Sequence, residues 1–328
     1  MENWFNIFGW FISIVTVAGN GFVIFLVAKN RQLHTSANWL VLSLAVADFG
    51  VGVAVFPSNY FCEKSMACNP RVYMAFFWFL LHSSVTNLCT LTWDRYIAIV
   101  HPFKYNTSMT VRRPGMIIFT AWLISLAISL SLFVGMYVTT SDTAWKVLRL
   151  TGVSAFDIIS CALLFYAVVR ILVVTRTQSL QVSAIELQIQ SNHLSTESHQ
   201  ESAIELQVQS NHSSTASHQV TSHAASTETA TPRRRVRKKH NVNTARFIIA
   251  VVVFFLGCYI VVNSLVLYIS FSSTVSYRAG QVIILLLVLN SAVNPLVYAC
   301  LKRDIKTEVS KLICRENKKE RSDSSQAR

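Results

Sequence analysis

The 328-residue chain is more apolar and less charged than soluble proteins are. Apolar residue types make up 52% of it and charged residues 14%, whereas about 25% charged residues is usual in a soluble domain. The formal net charge is +13, but Lys and Arg cluster at segment ends and in two tracts. The composition excludes an ordinary soluble domain, and the placement of the charge argues against a nucleic-acid partner.

Seven apolar segments are long enough to cross a bilayer as helices, which takes about 20 residues each. They are Ile7–Ala28, Ala37–Phe61, Arg71–Val100, Met116–Val138, Leu150–Val174, Ala245–Phe271 and Ala279–Leu301. The predicted fold class is an all-α membrane protein with seven transmembrane helices, the first five over 7–174 and the last two over 245–301.

The basic residues predict the orientation of these helices. If the short N-terminus, residues 1–6, is extracellular, about 24 of the 29 Lys and Arg lie on the cytoplasmic side. The segment 175–244 is then the third intracellular loop, and residues 302–328 form a cytoplasmic tail.

The long intracellular loop has a composition of its own, rich in Ser, Thr, Gln and His. The eleven-residue sequence Ser183–His193 returns 19 residues later, with one change, as Ser202–His212. Such a segment buries too little apolar surface to fold, so we expect 175–244 to be disordered. The repeat is either an expansion tolerated in a loop or a docking and phosphorylation tract. The basic run Arg233–Lys239 after it indicates a membrane-surface anchor, with partner contact as an addition.

An acidic residue, Asp48, stands in the middle of the second apolar segment. An ionisable residue inside a span marks a candidate functional site. Its candidate companions carry hydroxyl or amide groups and are Asn20, Ser84, Asn290, Ser291 and Asn294. Oxygen ligands around one carboxylate suit a monovalent cation and water, while the alternative is a hydrogen-bonded cluster between helices.

Two further polar motifs end apolar segments. The third segment closes on Asp94-Arg95-Tyr96, and the seventh contains Asn294-Pro295 with Tyr298 one turn later. A proline in a span frees a backbone carbonyl and permits a kink, and Asn294 can satisfy the freed group. Asp157 in the fifth segment either faces the interior as a ligand contact or, as we favour, pairs with a neighbouring helix.

With these residues in view, the chain resembles the rhodopsin-like (class A) G-protein-coupled receptors. The resemblance covers all seven segments and leaves out the long loop and the tail. Each segment carries one matching motif, and the motifs in chain order are Gly19-Asn20, Leu44–Asp48, Asp94-Arg95-Tyr96, Trp122, Tyr166, Phe255 with Cys258, and Asn294-Pro295 with Tyr298.

The resemblance implies a function and a role for each site. It implies a plasma-membrane receptor that activates heterotrimeric G proteins, with arrestin, a receptor kinase and membrane lipids as further partners. Arg95 would be held by Asp94 at rest and released on activation to meet the G protein, with Tyr166 and Tyr298 closing toward it. Asp48, Ser84, Asn290, Ser291 and Asn294 would form a sodium site, and sodium would be an allosteric modulator in a protein without a cofactor. The segment from Lys302 to Cys314 would be a short amphipathic eighth helix that ends in a palmitoylated cysteine.

Departures from the family pattern concern the ligand and the sixth segment. Tyr259 stands where the family usually has Trp, Val261 where it has Pro, and Ile158 where a fifth-segment Pro is common. Phe77 takes the position of the acid that binds the ammonium group in amine receptors, so we expect no such salt bridge. The seventh segment has no Lys for a retinal Schiff base.

The cysteines and one cytoplasmic motif also depart from the common pattern. The second outer loop has no Cys, and Cys62 and Cys68 flank the first outer loop instead, as candidates for a local disulfide. The absent Cys of the second outer loop, the absent Pro of the fifth segment and the sequence from Tyr105 to Arg113 are melanocortin-like features. We leave the subfamily unassigned.

The short outer segments favour a small-molecule, lipid-like or short peptide ligand bound within the bundle. Candidate ligand contacts are Phe77, Trp78, Leu81, His82, Thr151, Ser154, Tyr259, Asn263 and Gln281. For Phe77, Trp78 and Leu81 ordinary helix packing is the alternative, and for His82 a satisfied core histidine.

Other classes of function find less support in the sequence. The altered sixth segment leaves open a receptor-like partner or scaffold that does not signal. No inverted repeat of segments indicates a transporter, and no nucleophile–base pair or metal-ligand motif indicates an enzyme.

Overall fold

The computed structural model describes residues 3–64, 68–108, 112–138, 141–210, 230–271, 277–302 and 304–311, which form helices and turns without a strand among them. The helices are α1 (Asn3–Lys29), α2 (Ser36–Lys64), α3 (Pro70–Val100), α4 (Pro102–Ser108), α5 (Arg113–Val138), α6 (Asp142–Ser210), α7 (Ala230–Phe271) and α8 (Tyr277–Leu301), followed by α9 over 304–311. A single 3₁₀ turn, Arg31–Leu33, joins α1 to α2.

Seven of these helices have the length and apolar composition needed to cross a membrane. They are α1, α2, α3, α5, α6, α7 and α8, and the seven apolar windows have mean hydropathies between 1.3 and 2.6. The seven-span architecture of a multi-pass membrane protein is therefore confirmed, together with the short helix after it.

Local sequence explains where α3 begins and ends. At its start the side chain of Asn69 accepts hydrogen bonds from the backbone amides of Arg71 and Val72, at 3.1 and 3.4 Å, and Pro70 occupies the first helical turn, where no amide is needed. At its end Pro102 disfavours helical geometry at His101, which closes the helix by donating its amide to Ile97 O at 2.9 Å. The Asp94–Tyr96 motif is thus held in the last two turns of a regular helix.

The structure differs from the sequence-based expectation at the long loop and beside it. Helix α4 follows α3 directly, where no element was expected. Helix α6 continues to Ser210 and α7 begins at Ala230, whereas the sequence predicts disorder over 175–244. The chain divides into two compact units, one of Met1–Ile171 with Asn243–Arg328 and the other of Leu172–Val242. Residues 211–229 lie outside the described part, and the disorder of the loop stays a prediction.

Helix packing in the larger unit is tightest around α1, α2 and α3. Helix α1 packs on α2 and α8, α2 on α3, and α3 on α5. The α1–α2 contact is close because of Gly52, where an added Cβ atom would lie 3.0 Å from Thr16 Cβ and from a Val17 methyl group. Polar side chains join the helices as well, since Ser43 on α2 donates to Asn87 on α3 at 2.6 Å and accepts from Trp122 on α5 at 3.0 Å.

Lys302 joins α9 to the rest of the bundle. Its ammonium group donates to the side-chain oxygen of Asn38 at the start of α2, and Ile305 on α9 is buried below it. Burial lowers the pKa of Lys302 from 10.5 to about 7, and the nearby charge of Arg95 lowers it further against the opposite effect of Asp304 and Asp94. Lys302 lies just beyond the last span, which ends at Ala299.

The close approach of α1 and α2 makes Gly52 sensitive to side-chain volume. We expect Gly52→Leu to lower the free energy of unfolding by about 1–3 kcal/mol through overpacking. The matched control is Gly257→Leu on α7, because an added Cβ atom there meets nothing within 4 Å. Thermal unfolding in detergent compares the two, and equal midpoints for both variants would contradict the proposed packing.

The lowered pKa of Lys302 makes stability depend on pH. Between the folded value of about 7 and the unfolded value of 10.5 the unfolded chain binds more protons, so stability rises with pH across this window. We expect the thermal midpoint to increase from pH 7 to pH 9, and the increase to be smaller in Lys302→Met. Lys306→Met, which changes an exposed lysine of α9, should keep the wild-type slope. A slope unchanged in Lys302→Met would rule out this origin.

Candidate functional site

The Asp48 carboxylate lies where α2, α3 and α8 meet. It is fully buried, and its two oxygens accept hydrogen bonds from Ser84 at 2.6 Å and from Asn294 Nδ2 at 2.7 Å. The side chain of Ser291 is a third hydrogen-bonding neighbour. The structure thus brings together four of the residues that the sequence predicts for a sodium site.

The fifth residue of that predicted site, Asn290, and the further candidate companion Asn20 lie near the carboxylate cluster. Asn20 on α1 is buried and donates to the backbone oxygen of Ser291 at 3.2 Å, which ties α1 to the same part of α8. Asn290 is 6% exposed and directly precedes Ser291. In this arrangement the oxygens of Asp48 are occupied by side-chain donors, and a cation would replace the Asn294 donor with oxygen ligands.

Arg95 is paired with the acid that precedes it. Its Nε donates to Asp94 Oδ2 at 2.8 Å, and its Nη2 donates to the same oxygen. Asp94 is only 2% exposed, so the charge pair is shielded from water on the side of the acid. The Nη2 atom also donates to the hydroxyl of Tyr105 on α4, at 3.4 Å.

The three tyrosines of the predicted switch occupy different environments. Tyr96 is buried, stacks on Trp93 at 4.9 Å between ring centroids, and approaches Tyr166 of α6 at 6.0 Å. Tyr166 is half exposed on α6, whereas Tyr298 on α8 is fully buried. Pro295 lies within α8 one turn before Tyr298 and is buried against Gly19 of α1. The structure therefore brings Tyr96 and Tyr166 together and keeps Tyr298 inside the bundle.

Two residues near Arg95 were not predicted as parts of the site. Tyr105 contacts Arg95, and burial raises the pKa of its phenol, so it remains protonated at neutral pH. Phe103, also on α4, is 86% exposed, more than any other large apolar side chain among the described residues. The position of both residues soon after His101-Pro102 is a sequence signal that could have indicated them, since a proline that ends α3 can begin another helix.

Candidate ligand contacts on α3 form an aromatic cluster. Phe77 packs edge-on against Trp78 at 5.3 Å, and Trp78 stacks on His82 at 5.7 Å. The imidazole Nδ1 of His82 lies 3.2 Å from Ser129 Oγ on α5, and its ring meets Phe156 of α6 at 4.7 Å. Leu81 is 3% exposed. These contacts are compatible with core packing as well as with a ligand-lined surface.

Candidate contacts on the other helices are mostly buried. Tyr259 is 3% exposed and stacks on Phe255 at 4.1 Å, and Asn263 donates to the backbone oxygen of Tyr259 at 2.9 Å. Gln281 on α8 is buried, and Ser154 on α6 is half-buried. The side chain of Thr151 lies outside the described residues. Asp157 is 6% exposed, and its expected pairing with a neighbouring helix stays a prediction.

The cysteine predictions have different outcomes. The structure joins Cys62 at the end of α2 to Cys68 before α3 by a disulfide, which is the local pairing expected from the sequence. Cys314, the expected palmitoylation site, lies outside the described residues. Cys89, Cys161 and Cys258 are free thiols inside the spans.

Comparison with known proteins identifies relatives in one receptor family. The chain is 34% identical to the mouse (Mus musculus) trace amine-associated receptor 8b over 142 residues, which is 39% of each chain. It is 38% identical to Dopamine receptor 2 of Drosophila melanogaster over 125 residues, or 36% of this chain and 23% of that one. It is also 38% identical to adenosine receptor A2a of Cavia porcellus over 130 residues, or 38% and 31% of the two chains.

These alignments span about two fifths or less of the relatives' lengths, while the match to the family as a whole is much longer. The pattern of the family described as 7 transmembrane receptor (rhodopsin family) matches residues 19–298, from the Gly19-Asn20 motif to Tyr298. That range contains all seven motifs on which the resemblance rests. The chain belongs to the rhodopsin family of seven-transmembrane receptors.

Proposed function

We propose that this protein binds an extracellular small-molecule, lipid-like or short peptide ligand and activates heterotrimeric G proteins. The observation that carries the proposal is the pairing of Arg95 with the buried Asp94 at the end of α3. A basic side chain held by a neighbouring acid at the membrane boundary is a two-state element, because breaking the pair frees a charged donor for a partner. The N-terminus is extracellular, the Arg95 end is cytoplasmic, and the protein acts at the plasma membrane.

Activation in this proposal consists of releasing Arg95. The Nη2 atom of Arg95 also donates to the hydroxyl of Tyr105. Release of Arg95 therefore requires its hydrogen bonds to both Asp94 and Tyr105 to break. Tyr298 is fully buried at rest, and movement of α8 at Pro295 would bring it toward Arg95, while Tyr166 closes from α6. The contacts with Asp94 and Tyr105 fit the resting state of such a switch.

Phe103 is the proposed docking residue for the G protein. It is 86% exposed on the cytoplasmic helix α4, two residues before Tyr105. Apolar anchors in the centre of an interface carry much of the binding free energy, and an exposed phenylalanine beside Arg95 offers such an anchor. Arrestin and a receptor kinase are proposed as further partners of the same cytoplasmic side, and membrane lipids surround the spans.

Asp48 is the proposed sodium ligand. Ser84 and Asn294 already lie at hydrogen-bond distance from its carboxylate, Ser291 is a further hydrogen-bonding neighbour, and Asn290 is buried next to Ser291. A buried negative charge that has only neutral donors around it favours a cation. Because the site joins α2, α3 and α8, sodium would stabilise the resting arrangement and act as an allosteric modulator rather than as a cofactor.

The ligand would bind among the aromatic residues of α3 and the buried groups of α6, α7 and α8. The named relatives are receptors for trace amines, dopamine and adenosine, which favours a small ligand here as well. Phe77 replaces the acid that amine receptors use on the third span, so an amine would need another counter-charge. Asp157 supplies a buried carboxylate on α6.

A receptor-like scaffold that does not signal is the alternative. Tyr259 and Val261 depart from the family pattern at the point where the sixth span usually bends. Direct measurement of G-protein activation separates the two functions, since a scaffold leaves nucleotide exchange at its uncatalysed rate. The paired Arg95 and the buried Tyr298 favour the signalling receptor.

Removing either proposed G-protein contact should abolish or weaken coupling. We expect Arg95→Ala to eliminate receptor-stimulated nucleotide exchange, and Phe103→Ala to reduce it about tenfold, as loss of an interface anchor does. Gly115→Ala on α5 is the control, because that exposed glycine has nothing within 4 Å of an added Cβ atom. Nucleotide exchange on a panel of purified G proteins is the measurement. Full exchange with both substituted receptors would refute the mechanism.

Sodium should stabilise the receptor through Asp48. At a concentration ten times its dissociation constant, a ligand that binds only the folded state adds about 1.4 kcal/mol to the free energy of unfolding. We expect sodium, compared with an equal concentration of a large organic cation, to raise the thermal midpoint of the wild type but not of Asp48→Asn. Asp304→Asn, which neutralises an exposed carboxylate, should respond like the wild type. An equal response in Asp48→Asn would exclude the site.

A further inference from the structure

A cavity of about 470 Å³ lies between α3, α4, α5 and α6, next to the Asp94–Arg95 pair, and shares Asp94 and Tyr105 with the surroundings of Arg95. Its walls are mainly apolar and include Cys89, Trp93 and Ile97 of α3, Ile117 of α5, and Leu164 and Ala167 of α6. A cavity of this size accommodates one small organic molecule. The three α3 residues recur every four positions, so they form one face of the helix.

Two polar atoms of α3 border the cavity without a hydrogen-bond partner. Thr92 is 0% exposed and Asp94 is 2% exposed, and both line the cavity. Thr92 Oγ1 and Asp94 Oδ1 have no hydrogen-bond partner among the described residues, whereas Asp94 Oδ2 accepts from Arg95 and the Tyr105 hydroxyl lies beside the same carboxylate. Buried polar groups are normally paired, so these two atoms point to an occupant that carries both hydrogen-bond donors and acceptors.

The charges of the cavity wall favour a neutral occupant. Asp94 is paired with Arg95, and Arg113 at the wall also has an interaction partner, so neither side chain requires an ionic occupant. A hydroxyl group is both donor and acceptor. A hydroxyl of the occupant can donate to Asp94 Oδ1 or accept from the hydroxyl of Thr92. Because Thr92 and Asp94 lie on opposite sides of the α3 face, an occupant needs two hydroxyl groups to make both hydrogen bonds.

The bilayer is the source that the cavity can reach. Trp93 and Leu163 line it and are also 44% and 49% exposed on the surface of the spans. Helical surface within a span faces lipid, so a molecule can enter between these two side chains without crossing water. The cavity lies near the cytoplasmic end of α3, at the depth of the inner leaflet's polar boundary.

We propose that this cavity binds a neutral, single-chain lipid with a polyol headgroup from the inner leaflet. Its headgroup hydroxyls bond Asp94 Oδ1 and Thr92 Oγ1, and its acyl chain leaves past Trp93 and Leu163. The bound lipid supplies a hydrogen bond to Asp94 Oδ1 while Asp94 Oδ2 accepts from Arg95. The lipid therefore stabilises the resting state, in which Arg95 is paired with Asp94. This last consequence rests on the proposed role of Arg95 in coupling, whereas binding itself does not.

Photolabelling of the full chain in phosphatidylcholine nanodiscs tests the site directly. The probe is monolauroylglycerol with a diazirine in its acyl chain, and methyl laurate with the same diazirine is the matched probe without hydroxyls. We expect the glycerol probe to label peptides that contain Trp93 or Leu163, and excess unlabelled monolauroylglycerol to compete. Equal labelling by methyl laurate would overturn the role of the hydroxyls.

Three variants locate the binding within the cavity. Thr92→Val removes one unpaired hydroxyl at constant shape and should weaken competition about three- to tenfold, as expected for one hydrogen bond. Ala167→Phe fills the cavity and should abolish labelling, whereas Ala162→Phe, at an exposed position of the same helix, should not. If Ala167→Phe misfolds, Thr92→Val decides alone. Wild-type labelling in Thr92→Val or in a folded Ala167→Phe would overturn the proposal.

The signalling consequence is measured separately from binding. We expect monolauroylglycerol, and not methyl laurate, to lower nucleotide exchange on the G protein in the wild type and to have no effect in Ala167→Phe. Specific labelling without any receptor-stimulated exchange would count against the proposed function and leave the lipid site intact. Stimulated exchange without specific labelling would refute the lipid site and leave the proposed function intact.

Discussion

The buried carboxylate of Asp48 is the constraint on which the arrangement of the bundle depends. An ionisable group inside a span is unfavourable unless it is hydrogen-bonded or paired, and Asp48 is fully buried on α2. Its oxygens accept from Ser84 on α3 and Asn294 on α8. Because these donors come from different helices, the need to satisfy one charge fixes α2, α3 and α8 against one another.

Helix α8 carries this constraint from Asp48 toward Lys302. Asn294, Tyr298 and Lys302 follow one another at intervals of four residues, which places them along one side of the chain. Asn294 bonds Asp48, Tyr298 is fully buried, and Lys302 donates to Asn38 at the start of α2. This row of side chains therefore links the Asp48 cluster to Asn38 at the start of α2.

The Arg95 end and the middle of the bundle hold their functional side chains differently. At the Arg95 end the charged groups are paired but have limited contacts, since the guanidinium meets only Asp94 and Tyr105 among the hydrogen bonds described. Nearer the middle, the candidate ligand residues are locked by ring contacts such as Trp78 with His82 and Tyr259 with Phe255. The first arrangement suits a switch that releases a side chain, and the second suits a surface that recognises shape.

The candidate sites were predicted from the sequence where a charge or a proline stands in an apolar segment. The sequence predicted two groups of polar partners, because polar groups in a span must find partners and few are available. They are Asp48 with Ser84, Ser291 and Asn294, and Arg95 with Asp94. Tyr105, Phe103 and the cavity at Thr92 were not predicted, because an exposed phenylalanine or an unpaired hydroxyl has no signature in one-dimensional spacing. The melanocortin-like motif from Tyr105 was noted, but its contact with Arg95 depends on helix α4.

The sequence by itself determined the number of spans, their order and their approximate limits, since a bilayer requires about 20 apolar residues per helix. It also indicated several of the buried polar groups, among them Asp48, Ser84 and Asn294. The tertiary structure decided which residues meet: that Lys302 reaches Asn38, that Tyr96 approaches Tyr166, and that a cavity opens beside Asp94. The reason is that hydropathy sets only the depth of a residue in the membrane, whereas its neighbours depend on how each helix is rotated and packed.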